Sequence, residues 1–259
     1  MAISPDFRTY PQASAATTAA VLDAGLRAYM LRVYNWMSSG LVMTGIVAYA
    51  IAFYPPLHQL FYRDAVTQFG TIVHNQPTGL AIVSIFAPLA FVLVLSMGVN
   101  RLSKTAAQTL YWVFCAAMGA SLTNIFMVYT GDSIVRVFFI TAATFAGMSI
   151  YGYTTKADLS RFGSFLFMGL IGIIIAGLVN MFMHSSALQF AISVIGVLVF
   201  TGLTAFDTQR IKATYVQYAY ADGVDGAAKR SVYDALSLYL NFINLFMLLL
   251  QLLGNRSNN

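Results

Sequence analysis

One carboxylate and two carboxamides stand within strongly apolar stretches near the end of the chain. Asp207 follows the apolar run GVLVFTGLTAF, and Asn241 and Asn244 lie among leucines and phenylalanines in DALSLYLNFINLFMLLLQLL. A charged residue at the centre of a membrane helix costs about 2.5–3.5 kcal/mol on insertion scales, so such residues usually face the protein interior and mark ion or proton pathways. These two stretches therefore predict a proton or cation site.

Structural explanations also exist for these three residues. One makes Asp207 a solvated acid at a helix end, paired with Arg210 three residues further on. An acid near a helix C-terminus opposes the helix dipole, however, so stability alone explains Asp207 poorly. Amide side chains in membrane helices also hold neighbouring helices together. For Asn241 and Asn244, this packing function and a site function both stay open.

A second acid, Asp234, begins the later stretch and lies seven residues before Asn241. Seven residues make two helical turns, so the two side chains share one helix face, about 10.5 Å apart along the axis. One interpretation places Asp234 in the first turn of the last helix, where the helix dipole favours an acid. The other makes it a displaced second acid that works with Asp207.

The overall composition indicates where such a site would lie. Hydrophobic residues make up 59% of the chain and charged residues only 9%, a balance that excludes an ordinary soluble domain and favours an integral membrane protein. The net charge of +5 is too small, and too evenly spread, to indicate nucleic-acid binding. A single cysteine, Cys115, excludes an internal disulfide.

The apolar runs predict seven transmembrane helices in an all-α protein, because each run is close to the length that crosses about 30 Å of hydrocarbon. We place them at about 33–53, 79–99, 107–129, 133–153, 162–182, 187–206 and 235–253. The domains are then an N-terminal cytoplasmic segment (1–30), a seven-helix transmembrane domain (31–254) and a short C-terminal tail (255–259). Residues 16–30 suit a short surface helix, residues 54–78 form a loop, and Pro88 should kink the second span.

Lysine and arginine residues predict the orientation, since they concentrate in cytoplasmic segments of membrane proteins. With a cytoplasmic N-terminus, only Arg63 and Arg256 lie in outer segments, and Arg136 lies near an outer helix end. The inner segments hold the other basic residues: Arg8, Arg27, Arg32, Arg101, Lys104, Lys156, Arg161, Arg210, Lys212, Lys229 and Arg230. We therefore expect a cytoplasmic N-terminus and a periplasmic C-terminus.

Two motifs resemble the Bax inhibitor-1 (transmembrane BAX inhibitor motif) family. They are TGLTAFDTQ at residues 201–209 and ALSLYLNFINLF at residues 235–246, and the resemblance runs from about Tyr29 to the C-terminus. The chain looks most like a bacterial member. The resemblance implies six helices wrapped around a central C-terminal seventh helix, in the bacterial inner (plasma) membrane.

The resemblance also implies a function. In the family, an acid at the position of Asp207 and an acid at the position of Asn241 form a pH-sensitive pair that gates a calcium leak. This chain has an amide at the second position, which can donate a hydrogen bond to Asp207 but cannot share a proton in the same way. The family places a basic residue near the pair, which makes Arg101 a candidate counter-ion. Calcium is the expected transported ion, with Asp207 as its candidate metal ligand, and no cofactor is expected.

A second function hypothesis needs no conducting path. Bacterial relatives are associated with a membrane-anchored AAA protease and with stress protection, so the chain could instead be a membrane regulatory protein that acts through that partner. Calcium flux into proteoliposomes separates this hypothesis from the leak. Under both hypotheses the lipid bilayer is an expected partner and nucleic acid is not. Calcium and protons are expected partners only under the leak hypothesis.

An enzyme hypothesis is weaker. Residues 119–122, Gly-Ala-Ser-Leu, fit the G-x-S-x shape of intramembrane serine proteases, but a serine nucleophile needs a base within hydrogen-bond reach. The histidines, His58, His74 and His184, all lie in or beside outer loops, and they form no dense cluster of metal ligands. We therefore predict that the chain is not an enzyme.

Overall fold

The computed structural model describes residues 15–66, 72–98, 102–218 and 223–257. In these ranges the chain is almost entirely helical, with one short hairpin. The elements are α1 Ala15–Phe53, α2 Pro55–Phe61, β1 Tyr62–Val66, β2 Ile72–Pro77, α3 Gly79–Gly98, α4 Lys104–Leu122, α5 Ile125–Val128, α6 Gly131–Thr154, α7 Ser160–Met183, α8 Ser186–Tyr218 and α9 Gly223–Leu253.

Six helices of the described chain are long and apolar enough to cross a membrane. They are α1 from Leu22 onward, α4 continued by α5, α6, α7, α8, and α9 from Asp225 onward. A shorter apolar stretch, Gly79–Leu95, belongs to α3. The predicted class, an all-α integral membrane protein, is thereby confirmed. Pro88 lies inside α3, and the helix continues through it.

The first helix is longer than the sequence suggested. α1 runs without interruption from Ala15 to Phe53, so the predicted surface helix at 16–30 and the first span are one element, and the expected boundary at residue 30 lies inside it. The physical reason is that no proline occurs between these residues, and nothing else there stops backbone hydrogen bonding.

The last two helices also extend beyond their apolar stretches. α8 continues past Asp207 to Tyr218, and α9 begins at Gly223 rather than near residue 235. Two structural interpretations are therefore wrong: Asp207 is not at a helix end, and Asp234 is not in the first turn of its helix. The polar residues that follow Asp207 on α8 and precede Asp234 on α9 suggested a connecting loop, but they are helical. Hydropathy indicates which part of a helix lies in the hydrocarbon, and it does not indicate where backbone hydrogen bonding ends.

Residues 54–78 contain regular structure instead of the predicted loop. Pro55 and Pro56 occupy the first turn of α2, where the missing backbone N–H is not needed. Strands β1 and β2 then pair in antiparallel fashion, with Tyr62 opposite Pro77 and Val66 opposite Ile72. The Thr78 hydroxyl donates to the Leu60 carbonyl at 2.7 Å, which joins the end of the hairpin to α2.

α9, like α8, contacts several of the other long helices. It packs against α1, α4, α6 and α8, and the side chains of Leu238, Tyr239, Leu245 and Leu250 on it are fully buried. α7 packs mainly against α8 and exposes most of its apolar surface.

The bundle has two distinct ends. The basic end holds the α6–α7 connection at residues 155–159, together with Lys156, Arg161, Arg210 and Lys212. The hairpin end holds β1, β2 and residues 255–257. There the backbone N–H of Thr130 donates to the Asn255 carbonyl at 3.1 Å, and that of Asn255 donates to Ser133 Oγ at 2.8 Å. These bonds fix the segment after α9 against the start of α6.

Candidate functional site

Asp207 lies in the interior of α8 with only 7% of its surface exposed, and both of its carboxylate oxygens are engaged. Nη2 of Arg210 approaches Oδ1 to 2.9 Å, and Nδ2 of Asn241 donates to Oδ2 at 2.7 Å. A buried carboxylate needs such partners, because an unpaired charge in a poorly solvated interior costs several kcal/mol. In this conformation Asp207 is fully paired.

Helical spacing brings these groups together from two elements. Asp207 and Arg210 are three residues apart on α8, so they share a face. On α9, Ser237 lies one turn before Asn241 on the face turned toward α8. Arg210 Nη2 also donates to Ser237 Oγ at 3.2 Å. The guanidinium therefore links α8 to α9 as well as neutralising Asp207.

Asp234 belongs to the same polar cluster. The Tyr29 hydroxyl of α1 donates to its Oδ2 at 2.6 Å. Asp234 also interacts electrostatically with Arg210, Arg230 and Asp207. The cluster thus contains two acids, Asp207 and Asp234, with Arg210 acting on both. We call Asp207, Arg210, Asp234, Ser237 and Asn241, with Tyr29, the acidic cluster.

Close helix packing holds Asp207 in place. Gly152 of α6 lies directly against the backbone of Ala205, two residues before Asp207, so that a Cβ at residue 152 would overlap the Ala205 carbonyl. Small residues of this kind let membrane helices approach closely. The hydroxyls of Thr204 and Thr208 donate to carbonyls of their own helix at 2.8 Å, so these two hydroxyls add no competing donor to the cluster.

Gln209 connects the cluster to the basic end of the bundle. Its Oε1 accepts a hydrogen bond from the Leu159 backbone N–H, and its Nε2 donates to the Ala157 carbonyl, both at 2.8 Å. The side chain therefore fixes the α6–α7 connection onto α8, two residues from Asp207.

A polar pocket of about 520 Å³ opens at the basic end between the α6–α7 connection and α8. Its lining includes Lys156, Asp158, Gln209 and Arg210. The Arg210 side chain is 42% exposed, whereas that of Asp207 is 9% exposed. Arg210 therefore stands between this pocket and the buried carboxylate. Asp158 has a lowered pKa, because the Ser160 backbone N–H stabilises its charged form.

Not every predicted site residue joins the cluster. Asn244 donates to the Leu240 carbonyl of its own helix at 2.8 Å, and so contributes to α9 rather than to the acids. Arg101, the candidate counter-ion, lies outside the described residues; within the described part of the chain, Arg210 is the cation that contacts Asp207. Nearby Lys104 pairs with Asp225 at 3.1 Å.

The other candidate chemistries find no assembled site in the described part of the chain. There, no group of three or more histidine, cysteine or acidic side chains could hold a metal ion. His58 bonds to Asn75 in the hairpin at 3.0 Å, and His184 ends α7 in a left-handed conformation. Gly119, from the G-x-S-x stretch, packs against Thr44 and Val47 of α1.

Sequence reasoning missed three residues that build the cluster or support it. Ser237 was detectable, because it lies four residues before Asn241 on the same helical face. Gln209 was detectable as a polar residue beside Asp207, although its bonds to the α6–α7 connection were not. Tyr29 gave no local signal, since its contact with Asp234 joins residues 205 positions apart.

Sequence comparison identifies the proteins to which this chain is similar. The sequence profile of the family described as Bax1-I, inhibitor of apoptosis-promoting Bax1, matches residues 26–258. Inner membrane protein YbhL of Escherichia coli K12 is 44% identical over 233 residues, covering 90% of this chain and 94% of YbhL. Uncharacterized protein RP147 of Rickettsia prowazekii is 46% identical over 235 residues, covering 90% and 92% of the two chains.

Proposed function

Because the chain belongs to the Bax inhibitor-1 family of membrane proteins, we propose that it is a pH-sensitive cation leak of the inner membrane, with calcium as the transported ion. The observation that supports this proposal is the pairing of buried Asp207 with Arg210 and Asn241 inside a helix long enough to span the membrane. Ionisable groups in such positions are typical of ion and proton pathways.

In the proposal, the described conformation is closed. Both oxygens of Asp207 are occupied, so a cation arriving from the polar pocket must first displace Arg210. Protonation of Asp207 removes the charge that holds the guanidinium and is the proposed pH-dependent step. Calcium prefers six to eight oxygen ligands, which here would come from Asp207, Asp234, the Asn241 carbonyl, Ser237 and water.

Because residue 241 is an asparagine, the proposed ion site of this chain should differ from that of relatives with aspartates at both positions. The α9 residue that bonds to Asp207 is a neutral amide, and the second acid, Asp234, is held by Tyr29 instead. Fewer charges around the ion should weaken the binding of a hard divalent cation. We propose that this chain discriminates less strongly in favour of calcium than a two-aspartate relative.

The proposed topology has seven spans. α3 contains 20 residues, about 30 Å at 1.5 Å per residue, which is enough to cross the hydrocarbon. The contacts of α9 with α1, α4, α6 and α8 support a central C-terminal helix. The lysines and arginines at the basic end support a cytoplasmic position for that end, with the N-terminus inside and the C-terminus in the periplasm.

The test is calcium entry into proteoliposomes that contain the purified full chain and an internal calcium indicator, measured across a series of pH values. We expect flux that depends on pH. Arg210→Gln removes the cation that closes the cluster and should raise flux at every pH. Arg161→Gln changes an exposed arginine at the same end and should behave as wild type. Absence of flux in wild type and in Arg210→Gln would favour the regulatory protein that acts through a membrane-anchored AAA protease in stress protection.

A further inference from the structure

A long apolar groove runs between α1 and α6, and its lining includes no residue of the acidic cluster. It has a volume of about 830 Å³, and buried Met37, Phe145 and Phe242 contribute to its floor. Its rim is open, since Val42 and Ile150 are 61% and 64% exposed. Between Ile134 and Tyr153 the groove follows α6 for about 28 Å, nearly the thickness of the hydrocarbon layer.

Small residues make the groove hollow. Gly45 of α1 and Ala142 and Ala146 of α6 line it. A Cβ added at Gly45 would meet no other atom within 4 Å, so the space beside it is open rather than filled by a neighbouring helix. On α1 the lining extends from Tyr34 to Gly45, a distance of about 16 Å along the helix. The part of the groove that has both α1 and α6 as walls therefore lies in the half of the bundle nearer the basic end.

One polar group within the groove has no partner. Ser149 lines it, is 6% exposed, and its Oγ makes no hydrogen bond. Threonines elsewhere on this helix, Thr141 and Thr144, bond to the carbonyl four residues earlier at 2.8 and 2.9 Å. A buried hydroxyl without a partner costs about 1–3 kcal/mol, so a ligand oxygen that accepts its hydrogen bond would be favoured.

A cation stands at the mouth of the groove. Lys212 of α8 donates to the Tyr153 carbonyl at 2.9 Å, and its ammonium lies 5.0 Å from the centre of the Tyr153 ring. Tyr153 itself lines the groove, one turn from Ser149. No carboxylate of the described residues pairs with Lys212, and an ammonium group has three donors, so two remain for an anion.

From these features we propose that the groove binds an anionic phospholipid of the leaflet at the basic end. One acyl chain lies along α1 and α6 over Phe242, and the phosphate contacts Lys212. An ester oxygen of the lipid accepts a hydrogen bond from Ser149 once that side chain rotates toward the groove. A slender chain fits a narrow concave groove whose rim is open to the bilayer, and the positive mouth favours a negative headgroup. The site is independent of the proposed leak.

The test is native mass spectrometry of the purified full chain, titrated with phosphatidylglycerol or phosphatidylcholine that carries the same acyl chains. Wild type should bind phosphatidylglycerol more tightly. Gly45→Leu fills the groove and should weaken binding of both lipids about tenfold, equivalent to about 1.4 kcal/mol. Gly147→Leu adds the same side chain to an open position on α6 outside the groove and should bind both lipids as wild type does.

Further variants separate the parts of the site. Lys212→Gln should remove the preference for phosphatidylglycerol while phosphatidylcholine binding is kept, and Arg161→Gln should retain the preference. Ala146→Leu fills the groove from the other wall and replaces Gly45→Leu if that variant does not fold, as judged by thermal unfolding. Equal lipid binding by the groove-filling variants and Gly147→Leu would overturn the proposal. The proposal would also be overturned if wild type formed a dimer that the groove-filling variants lost while their lipid binding was unchanged. The groove would then hold a second copy of the chain rather than a lipid.

Discussion

The carboxamide of Asn241 on α9 donates a hydrogen bond of 2.7 Å to the carboxylate of Asp207 on α8, whose other oxygen faces Arg210 at 2.9 Å. One negative charge is therefore balanced by one cation and one neutral donor. The second acid of the cluster, Asp234, is held separately by Tyr29. The family resemblance implies two aspartates in direct contact, and this chain replaces that contact with an amide while it keeps a second acid near Arg210.

The first prediction concerns Asp207. Asp207→Asn removes the titratable group with little change in size, so calcium flux into proteoliposomes should lose its dependence on pH while the fold is kept. Asp225→Asn is the matched control, because Asp225 is an exposed acid at the same end of the bundle and does not line the polar pocket. Wild-type flux at every pH in Asp207→Asn would exclude Asp207 as the pH-responsive group.

The second prediction concerns the amide. Asn241→Asp places a carboxylate against Asp207, and two adjacent carboxylates can share a proton. The pH at which flux changes should move toward neutrality. Flux should also depend more steeply on calcium concentration, because the ion gains a charged ligand. Asp234→Asn is measured in parallel. If Asn241→Asp has no effect while Asp234→Asn removes the pH response, Asp234 is the partner of Asp207 in this chain.

The third prediction concerns Tyr29. Tyr29→Phe removes the 2.6 Å bond to Asp234 without changing the ring, and should lower the free energy of unfolding by about 1.5–3 kcal/mol, as expected for a hydrogen bond to a charged group. Thermal unfolding in detergent micelles measures the change. Tyr49→Phe alters an exposed tyrosine on the same helix and should leave stability unchanged. Equal stability of the two variants would show that the hydrogen bond of Tyr29 to Asp234 makes no net contribution to the free energy of unfolding.

The fourth prediction concerns the contact between α6 and α8. In Gly152→Ala the added methyl group overlaps the Ala205 backbone, which cannot move aside as a flexible side chain would. We expect a loss of about 1–3 kcal/mol in stability, typical of overpacking, and altered flux because Asp207 lies two residues away. Gly147→Ala, on the same helix with open space around it, should be neutral in both measurements.

The fifth prediction concerns topology. With seven spans and a cytoplasmic N-terminus, alkaline phosphatase fused after residue 259 should be active, because it would lie in the periplasm. A green fluorescent protein fused at the same position and exported unfolded should be dark. The opposite pair of results would mean that one of the seven proposed spans does not cross the membrane.

The sequence by itself determined the membrane class, the approximate positions of the apolar helices and the two motif residues that meet, Asp207 and Asn241. Local properties of the sequence are enough for these predictions. A span needs about twenty apolar residues to cross the hydrocarbon, and a single acid within such a stretch is easily recognised. Helix ends were harder to predict. The polar parts of α8 and α9 remain helical beyond their apolar stretches, so Asp207 and Asp234 lie inside helices rather than at their ends.

Only the tertiary structure decided which further groups join Asp207, Arg210 and Asn241 and how the helices that carry them meet. Arg210 bonds to Ser237 across 27 positions, Tyr29 reaches Asp234 across 205, and Gly152 meets Ala205 between two helices. The groove of α1 and α6 is likewise formed by residues about one hundred positions apart. Helices in a bilayer associate through close packing and specific polar contacts, and hydrophobicity, which is high in every candidate span, does not specify which faces meet.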